Sequence, residues 1–533
     1  MNSTTTATRW EQVRAVLLTR STLAVALLTL VAAWLRLDGL RRQSLWFDEI
    51  DVVVRAQLPL DEVMRSFTRQ GENGPLYNIL LAIWVRLAGI SEVAVRFPSA
   101  VAGILAVPLV YVLARRLTDT PTALITAALL TISPYHVWYS QEAKMYTLVV
   151  LLALGSTLLL WETLQRPHVV WSIGWVVVSS LMFYTHVASV LVFAGQGLYL
   201  LLIWRQWQPQ PFRRRVVIGV GALTLPYVPI ALWASRVVGG DVPTWHPDVG
   251  LIDALRILGI RFAVHRHEAP YELRAAWLFA ALALVGVITL AVRQGYAWRG
   301  AGAGSATTQP APGGRGTHAP WLLLLLVTLV PVVGLYAVSL RNSVFSDRYA
   351  LVALPFYLVL VAGACAALLR QRRLWPLALV ALLLIGSYDW AALREVNRSS
   401  AAQKEDWRSA WADVADQMQP GDVVIVHPGY LITTHTYFVQ RDPRLGTLPV
   451  VTIPTFDVGW LTYPGMIQWV RDQAPTATRF WLVQSPVRVP DDDPERSLER
   501  WLREEGAQMY DHYHNGVQVS LYVLDPSGST TTP

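Results

Sequence analysis

The sequence predicts a polytopic α-helical membrane protein that ends in a small α/β domain. Its 533 residues are 53% hydrophobic and only 15% charged, whereas a soluble domain carries about 25% charged residues. Apolar runs of about 18 residues, long enough to cross a bilayer as helices, recur between residues 21 and 390. After residue 400 the composition changes, and short apolar strands alternate with amphipathic helices.

Eleven spans are predicted, and arginine clusters orient them. With the N-terminus inside, the clusters around residues 9–20, 115–116, 205–215, 293–315 and 370–373 all face the cytoplasm. Residues 1–20 are then a cytoplasmic N-terminus, and the C-terminal region is extracytoplasmic. The predicted spans are 21–37, 97–114, 121–138, 147–163, 169–185, 187–204, 216–235, 274–292, 320–340, 349–369 and 374–390.

Two segments between the spans need separate interpretation. Residues 74–89 are apolar but short and contain Arg86, and counting them as a span would reverse every later loop. We therefore predict a helix that lies in the outer membrane interface, with a full span as the alternative. Residues 294–319 are rich in Gly, Ala, Pro and Thr, which predicts a flexible cytoplasmic linker.

The predicted extracytoplasmic domain covers residues 400–533. The segments KEDWRSAWADVADQM and PERSLERWLREEG predict amphipathic helices, and VVIVH, RFWLVQ and VQVSLYVL predict strands. A Gly-rich phosphate-binding fingerprint is missing from this segment. The sequence therefore predicts an α/β domain without naming its ligand.

The segment SLWFDEID follows the first predicted span and opens the outer loop 38–96. Asp48 and Glu49 lie there beside Trp46 and Phe47, at the apolar boundary. Charges at that depth are costly without a partner or a function. The segment therefore predicts catalytic carboxylates, and a solvated loop start or a helix N-cap is the alternative.

The segment SPYHVWYSQEAKMYTL, 133–148, forms the next predicted outer loop. It combines Glu142 and Lys144 with the aromatic residues Tyr139 and Tyr146. We predict Glu142 as a second acid and the other three side chains as ligands of a sugar and a phosphate. An interfacial aromatic belt with one ion pair remains the alternative.

Further polar residues lie at predicted outer span ends. They are His186, the pair Arg348 and Tyr349, and Arg96. An arginine on the outer side runs against the positive-inside trend, and a phosphate ligand would account for it because guanidinium and phosphate pair bidentately. Snorkelling is the alternative for both arginines, and a satisfied interface residue is the alternative for His186.

Acids, cations and aromatic residues at one membrane face suit a sugar that is joined to a lipid phosphate. A transporter would place polar groups near mid-membrane, where the predicted spans hold few charges. A flippase of polyprenyl-linked glycans remains the alternative function. A third interpretation is a scaffold whose C-terminal domain does the binding. No metal site is predicted, although carboxylates could hold a divalent ion, and metal dependence stays open.

The segments LRLDGLRRQSLWFDE, GPLYNILLAIWVRLAGISEVAVRFPSAVAGILAVPLVYVLARRL, SPYHVWYSQEAKMYTL and SDRYALVALP together resemble the GT-C membrane glycosyltransferases. The resemblance is to the branch of protein O-mannosyltransferases and lipid A aminoarabinose transferases. It covers residues 31–360 and is densest over 31–160. Asn73-Gly74-Pro75 stands where the aminoarabinose branch has Lys-Pro-Pro.

This resemblance implies the GT-C fold over residues 21–390 and a hexosyl- or pentosyltransferase in the inner (plasma) membrane. It implies a polyprenyl-phosphate sugar donor and a lipid, glycan or protein acceptor on the extracytoplasmic side, with no nucleic acid involved. Asp48 corresponds to the family's catalytic base, followed by Glu49, and Glu142 to its second acid. Arg348 and Tyr349 correspond to the pair that meets the donor phosphate.

Overall fold

The structure is a computed structural model, and it describes a large part of the chain in two compact units. The transmembrane unit comprises Met1–Asp38, Pro59–Leu80 and Arg96–Asn397. The α/β unit comprises Gly39–Leu58, Leu81–Val95 and Arg398–Pro533. The described residues are 19–65, 74–166, 168–203, 218, 221, 224, 225, 228, 248–265, 271–303, 319–398, 404–453 and 463–524.

Seven helices among the described residues are long and apolar enough to cross a membrane. They comprise Arg20–Leu37, Glu92–Leu117, Tyr146–Gln165, Glu272–Arg293, Pro320–Ser339, Asp347–Arg370 and Trp375–Val396. The shorter apolar helices are Pro75–Ala88, Thr120–Ile132, Val169–Thr185 and Val187–Leu202. Ten of the eleven predicted spans overlap one of these helices, and most of segment 216–235 lies outside the described residues. The prediction of a multi-span helical protein is confirmed, and the count of eleven stays a prediction.

Three segments differ from the predicted spans in their breaks or their length. The predicted span 121–138 is broken by Pro134 into the helices Thr120–Ile132 and Pro134–Ser140. The span predicted at 349–369 starts with a 3-10 turn, Asp347–Ala353, before the α-helix Leu354–Arg370. The last transmembrane helix continues beyond the membrane-length segment to Arg398.

The contested segment 74–89 forms the helix Pro75–Ala88, with 14 residues. A helix of that length is about 21 Å long, whereas the hydrocarbon core is about 30 Å thick. Its second half belongs to the α/β unit, where Arg86 donates to the carbonyl oxygens of Ala56 and Leu58. Its length and its partners therefore favour the interfacial helix over a full span.

Two of the arginines predicted to face the cytoplasm pair with one aspartate at a helix start. Asp119 accepts from Thr122 N–H at the start of one helix, and it pairs with Arg293 at 3.0 Å and Arg370 at 2.5 Å. The helix Glu272–Ala303 continues past Arg293 into the segment predicted as linker. Residues 304–318 lie outside the described residues.

Close helix packing in the transmembrane unit depends on small residues. A Cβ on Gly286 would lie 1.8 Å from the carbonyl oxygen of Leu360, and one on Gly195 would lie 2.9 Å from that of Leu326. Helices in lipid associate through such close backbone approach, since burial of apolar surface gains little there. These glycines therefore set the spacing of their helix pairs.

The α/β unit is built on a five-stranded sheet of order β2-β1-β3-β5-β4. Strands β2, β1 and β3 are parallel, and β5 and β4 are added antiparallel. The strands are β1 Val423–His427, β2 Val450–Thr452, β3 Arg479–Gln484, β4 Gly506–His514 and β5 Val517–Leu524. The helices that pack in the α/β unit include Phe47–Ala56, Trp407–Gln417, Ile432–Val439, Tyr463–Gln473, Val489–Asp492 and Ser497–Glu505. The short helix Leu60–Met64, which follows Phe47–Ala56 in the chain, belongs to the transmembrane unit.

The core of the α/β unit lies between the sheet and its helices. Ile425 of β1 pairs in register with Leu482 of β3, and both are fully buried. Trp501 from the helix Ser497–Glu505 packs into the same cluster with 1% exposure. Burying such side chains contributes about 1.5–3 kcal/mol each, which explains why the apolar strands VVIVH and RFWLVQ occupy the centre of the sheet.

Three of the five strands, β1, β3 and β5, are predicted by the sequence. Strand β4, GAQMYDHYH, is mostly exposed, and the pairing with β5 sustains it rather than burial. Strand β2 is only three residues long. An exposed edge strand and a three-residue strand lack the apolar period that sequence patterns detect.

Candidate active site

The acidic segment SLWFDEID forms the start of the helix Phe47–Ala56, which belongs to the α/β unit. Asp48 and Glu49 lie in its first turn, where negative charge is favoured by the helix dipole. Glu405 caps the N-terminus of this helix, because its carboxylate accepts a hydrogen bond from the Phe47 N–H at 3.0 Å. The same carboxylate accepts a hydrogen bond from Trp407 Nε1 at 2.9 Å. The acidic segment thus begins a helix that the C-terminal part of the chain caps.

The two carboxylates of the first turn have different environments. Glu49 is fully buried, and its Oε2 lies 3.5 Å from Nζ of the buried Lys404. Asp48 is half-buried. Asp48 also acts on the nearby Arg488. Burial alone would lower the pKa of Arg488, but its interactions with Glu405, Tyr430 and Asp48 outweigh burial and raise that pKa above its ordinary value. Asp48 is therefore the more accessible acid, while Glu49 is placed to stabilise the fold.

The transmembrane unit brings most of the predicted substrate ligands into one row of rings, the aromatic row. Ring centroids are 5.2 Å apart for Tyr139 and Tyr146, 5.9 Å for Tyr146 and His186, and 4.9 Å for His186 and Tyr349. Tyr135 extends the row by a contact of 5.2 Å with Tyr139. Four residues predicted from three separate segments are therefore neighbours.

Two cations accompany the aromatic row. The guanidinium carbon of Arg348 lies 6.0 Å from the ring centroid of Tyr146 and 5.8 Å from that of Tyr349. Burial, followed by the positive charges of Arg348 and Lys144, lowers the pKa of His186 to about 3. Arg348 and Lys144 are half-exposed, while Tyr139, Tyr146 and His186 are buried. The arrangement offers positive charge above aromatic faces.

His186 is held neutral in a defined tautomer. Its Nδ1 accepts from the Ala188 N–H at 3.1 Å, so the proton of the neutral ring is on Nε2. At physiological pH the ring therefore has an N–H at Nε2 that can donate a hydrogen bond, and it adds no charge beside the two cations.

The structure adds residues that the sequence analysis did not select. Asp347 pairs with Arg261 at 2.6 Å, and its carbonyl oxygen accepts from the Tyr135 hydroxyl at 2.7 Å. His265 contacts Tyr135, with centroids 5.4 Å apart, and Trp138, with centroids 5.0 Å apart. In the sequence, Arg261 and Asp347 each lie next to an apolar run, which could have marked them as candidates. The sequence does not indicate that the two residues pair with each other. His246 and His267, which flank His265 in the sequence, lie outside the described residues.

Backbone anchors fix the loop that carries Lys144. The Ser99 hydroxyl donates to the Lys144 carbonyl oxygen at 2.8 Å, and Thr147 donates to the Ser99 carbonyl oxygen at 2.8 Å. The Gln141 amide donates to the carbonyl oxygens of Leu35 at 3.0 Å and Asp38 at 2.7 Å, at the end of the first transmembrane helix. The loop is thus preorganised by its own scaffold.

Gly74 fixes the start of the helix Pro75–Ala88 against the turn before His186. Its φ is +79°, and a Cβ at this position would lie 2.4 Å from the carbonyl oxygen of Thr185. Only glycine meets both conditions without displacement. Asn73, before it, lies outside the described residues.

The remaining predicted residues, Glu142 and Arg96, are buried in the transmembrane unit with 3% and 1% exposure. Glu142 is close to the aromatic row, since it adds to the effects of burial, Asp347 and Tyr135 that raise the pKa of Tyr139 well above its ordinary value. Arg96 lies in the first turns of the helix Glu92–Leu117. The functional roles of both stay predictions.

The comparisons show the fold of the chain and a family match over part of it. Residues 72–233 match the family described as dolichyl-phosphate-mannose-protein mannosyltransferase. ArnT from Cupriavidus metallidurans bound to undecaprenyl phosphate is similar with a TM-score of 0.56 and 12% identity, over 95% of this chain and 99% of that chain. The Archaeoglobus fulgidus oligosaccharyltransferase in complex with Zn and sulfate is similar with a TM-score of 0.55 and 11% identity, over 93% of this chain and 72% of that chain. No curated protein matches the chain in sequence.

At 11–12% identity these two structures show the fold, and the family match is confined to residues 72–233, less than half of the chain. That matched segment contains most of the aromatic row, including Tyr139, Tyr146 and His186, together with Lys144. The chain therefore has a fold similar to that of ArnT and the oligosaccharyltransferase, and its residues 72–233 match the mannosyltransferase family.

Proposed function

We propose that the protein transfers a sugar from a polyprenyl-phosphate donor to an acceptor hydroxyl on the extracytoplasmic side of the inner membrane. The observation that carries this proposal is the pair of half-exposed cations, Arg348 and Lys144, beside the mostly buried aromatic row. Cations suit a phosphate and aromatic faces suit a sugar ring. ArnT, which has the same fold, was solved with undecaprenyl phosphate bound.

The proposed reaction is a direct displacement at the anomeric carbon. Asp48 accepts the proton of the acceptor hydroxyl as that oxygen forms its bond to the anomeric carbon. The bond from that carbon to the phosphate oxygen breaks, and polyprenyl phosphate leaves with both electrons of that bond. Arg348 and Lys144 stabilise the negative charge of the leaving phosphate.

The role of Asp48 as base rests on its position in the family's Asp-Glu pair and on its accessibility relative to Glu49. Since Glu49 is paired with Lys404 at 3.5 Å, we assign Glu49 to support of the helix rather than to proton transfer. Glu142 is proposed as a second acid near the acceptor. The acceptor is a lipid, a glycan or a protein, and activity measured with a panel of such acceptors would determine which.

The test uses the purified full-length protein in nanodiscs with a panel of polyprenyl-phosphate sugars and measures release of polyprenyl phosphate. We expect release with at least one donor, and a decrease of roughly 100-fold in Asp48→Asn, as for loss of a general base. Asp51→Asn is the matched control, because Asp51 lies in the same helix and pairs with the exposed Arg55 at 3.0 Å.

Two outcomes would contradict the proposal. Equal release by wild type and Asp48→Asn would remove Asp48 from the chemistry. Movement of intact lipid-linked sugar across the bilayer, with no release for any donor, would favour the flippase alternative. Parallel reactions with EDTA, and with Mg²⁺ or Mn²⁺ restored, determine whether the transfer needs a divalent ion.

A further inference from the structure

The α/β unit holds a cluster of side chains that the proposed transfer does not use. His512 and His514 are two residues apart on strand β4, so their side chains lie on the same face of the sheet. Asp413 faces them from the helix Trp407–Gln417. One ligand atom from each of the three residues lies within 4.8 Å of the other two. All three residues belong to the same compact unit.

We propose that Asp413, His512 and His514 form a binding site for a divalent transition metal ion, with Zn²⁺ as the ion that fits best. The ligand atoms are Oδ2 of Asp413, Nδ1 of His512 and Nε2 of His514. Imidazole nitrogen and carboxylate oxygen are the ligands that zinc accepts, and three protein ligands leave one coordination position open.

The distances agree with this assignment. Oδ2 of Asp413 lies 3.4 Å from Nδ1 of His512 and 2.6 Å from Nε2 of His514. Tetrahedral ligands about 2.0–2.1 Å from a zinc ion are about 3.3 Å apart. The Asp413–His512 distance is close to this value, the Asp413–His514 distance is shorter, and all three atoms lie within 4.8 Å of one another.

The orientation of the rings also points to a shared ion. The two imidazoles are stacked with centroids 4.3 Å apart and an interplanar angle of 29°, and both direct a nitrogen at the same carboxylate oxygen. The hydroxyl of Tyr510 donates to Asp413 and lies 3.1 Å from Nδ1 of His512. A tyrosine hydroxyl beside the ligands can orient the carboxylate once the ion is bound.

Access and placement suggest what the ion does. The His512 side chain is 56% exposed, so an ion enters directly from solvent, while His514 at 10% exposure anchors the site. Strand β4 is at the edge of the sheet and has few buried residues of its own. An ion that joins the strand to the helix Trp407–Gln417 closes a long loop of the chain and stabilises an exposed edge.

The experiment measures zinc directly on the full-length protein, purified without a polyhistidine tag and treated with a chelator. Isothermal titration and elemental analysis after dialysis are expected to give one zinc per chain. The variants His512→Ala and Asp413→Asn are expected to bind at least about tenfold more weakly, since even the loss of an outer partner costs a zinc site about that much. Cobalt(II), which replaces zinc and is coloured in tetrahedral sites, is expected to give a visible band in wild type and not in His512→Ala or Asp413→Asn.

The matched control is Asp416→Asn, because Asp416 lies on the same helix and its exposed carboxylate pairs with Arg444 at 3.0 Å. It should bind zinc as wild type does. Zinc should raise the thermal unfolding temperature of wild type and Asp416→Asn, and not that of His512→Ala. No zinc retained by the wild type, or equal binding in His512→Ala, would overturn the proposal and leave a hydrogen-bonded cluster. Because the His512 side chain is 56% exposed, its alanine variant should fold, and circular dichroism of the variant would verify this.

Discussion

Replacement of Arg348 tests the proposed donor site most directly. Arg348 is half-exposed, and its guanidinium carbon lies about 6 Å from two tyrosine rings of the aromatic row. Arg348→Ala removes the charge and leaves Tyr146, His186 and Tyr349 in place. Arg348→Lys keeps the charge but loses the planar fork that pairs with phosphate. The two variants therefore separate charge from geometry.

The expected size follows from the exposure of the group. A unit charge pair about 4 Å apart is worth about 4 kcal/mol at an effective dielectric of 20, and partial exposure reduces this. A hydrogen bond to a charged group contributes about 1.5–3 kcal/mol. We expect Arg348→Ala to lower kcat/KM for the lipid-linked donor about 10- to 150-fold, since 1.4 kcal/mol is a factor of ten. Arg348→Lys should lose less.

The assay is release of polyprenyl phosphate at varied donor concentration, with binding of free polyprenyl phosphate measured in parallel. Binding of that product should weaken in Arg348→Ala, because the phosphate loses its partner. The control is Arg256→Ala, which removes an exposed arginine from the helix Leu251–Val264. If Arg348→Ala keeps both donor turnover and product binding, the phosphate site lies elsewhere.

Three further predictions follow from single contacts. Gly74→Ala should destabilise the transmembrane unit by about 2–5 kcal/mol, from the positive φ and a 2.4 Å clash with Thr185, and lower its unfolding temperature, whereas Gly89→Ala meets no atom within 4 Å and should show only the cost of its φ of +77°. Glu49→Gln should destabilise by about 3–5 kcal/mol because it breaks the buried ion pair with Lys404, and Glu49→Gln/Lys404→Met should recover much of this in denaturant unfolding. Burial lowers the pKa of His427 to about 4 despite Asp493 nearby, so the unfolded state binds the extra proton as pH falls from 6.5 to 4. The α/β unit should therefore lose about 2 kcal/mol of stability between pH 7 and pH 5, and His427→Asn should remove this loss; an unchanged pH dependence in that variant would assign it to other groups.

The parts of the fold that the sequence predicted are those with a strong local period. Apolar runs identify helices because a bilayer demands a continuous apolar length, and the strands β1, β3 and β5 show as runs of buried residues. Breaks inside an apolar run were missed, such as Ser133 and Pro134 between two helices. Such breaks depend on capping and tertiary packing, which leave the hydropathy of the run unchanged.

The candidate site was predicted to the extent that its residues stand out locally. Tyr139, Tyr146 and Lys144 share one short segment, and Arg348 is a lone charge beside an apolar run. Their assembly into one row was beyond the sequence, because it depends on how distant helices pack. The pairing of Arg261 with Asp347 is of the same kind, since the two residues are joined only by the folded chain.

The acidic helix changes how the C-terminal domain must be tested. A scaffold whose C-terminal domain does the binding predicts that deletion of residues 400–533 abolishes function while Asp48→Asn is silent. The helix Phe47–Ala56, however, depends on Glu405 for its N-terminal cap and on Lys404 for the partner of Glu49. The deletion would remove the Lys404 cation that pairs with the buried Glu49 carboxylate, so a loss of activity would follow from either function.

Point variants of the same contacts remove this ambiguity. Glu405→Gln keeps an acceptor oxygen for the Phe47 N–H while it removes the charge that pairs with Arg488 at 2.9 Å. If Asp48 is the base, turnover should fall far more in Asp48→Asn than in Glu405→Gln, although Glu405 binds Phe47, Trp407 and Arg488. The reverse order, with Asp48→Asn nearly silent, would assign the function of the acidic helix to support of the α/β unit and would withdraw Asp48 from the mechanism.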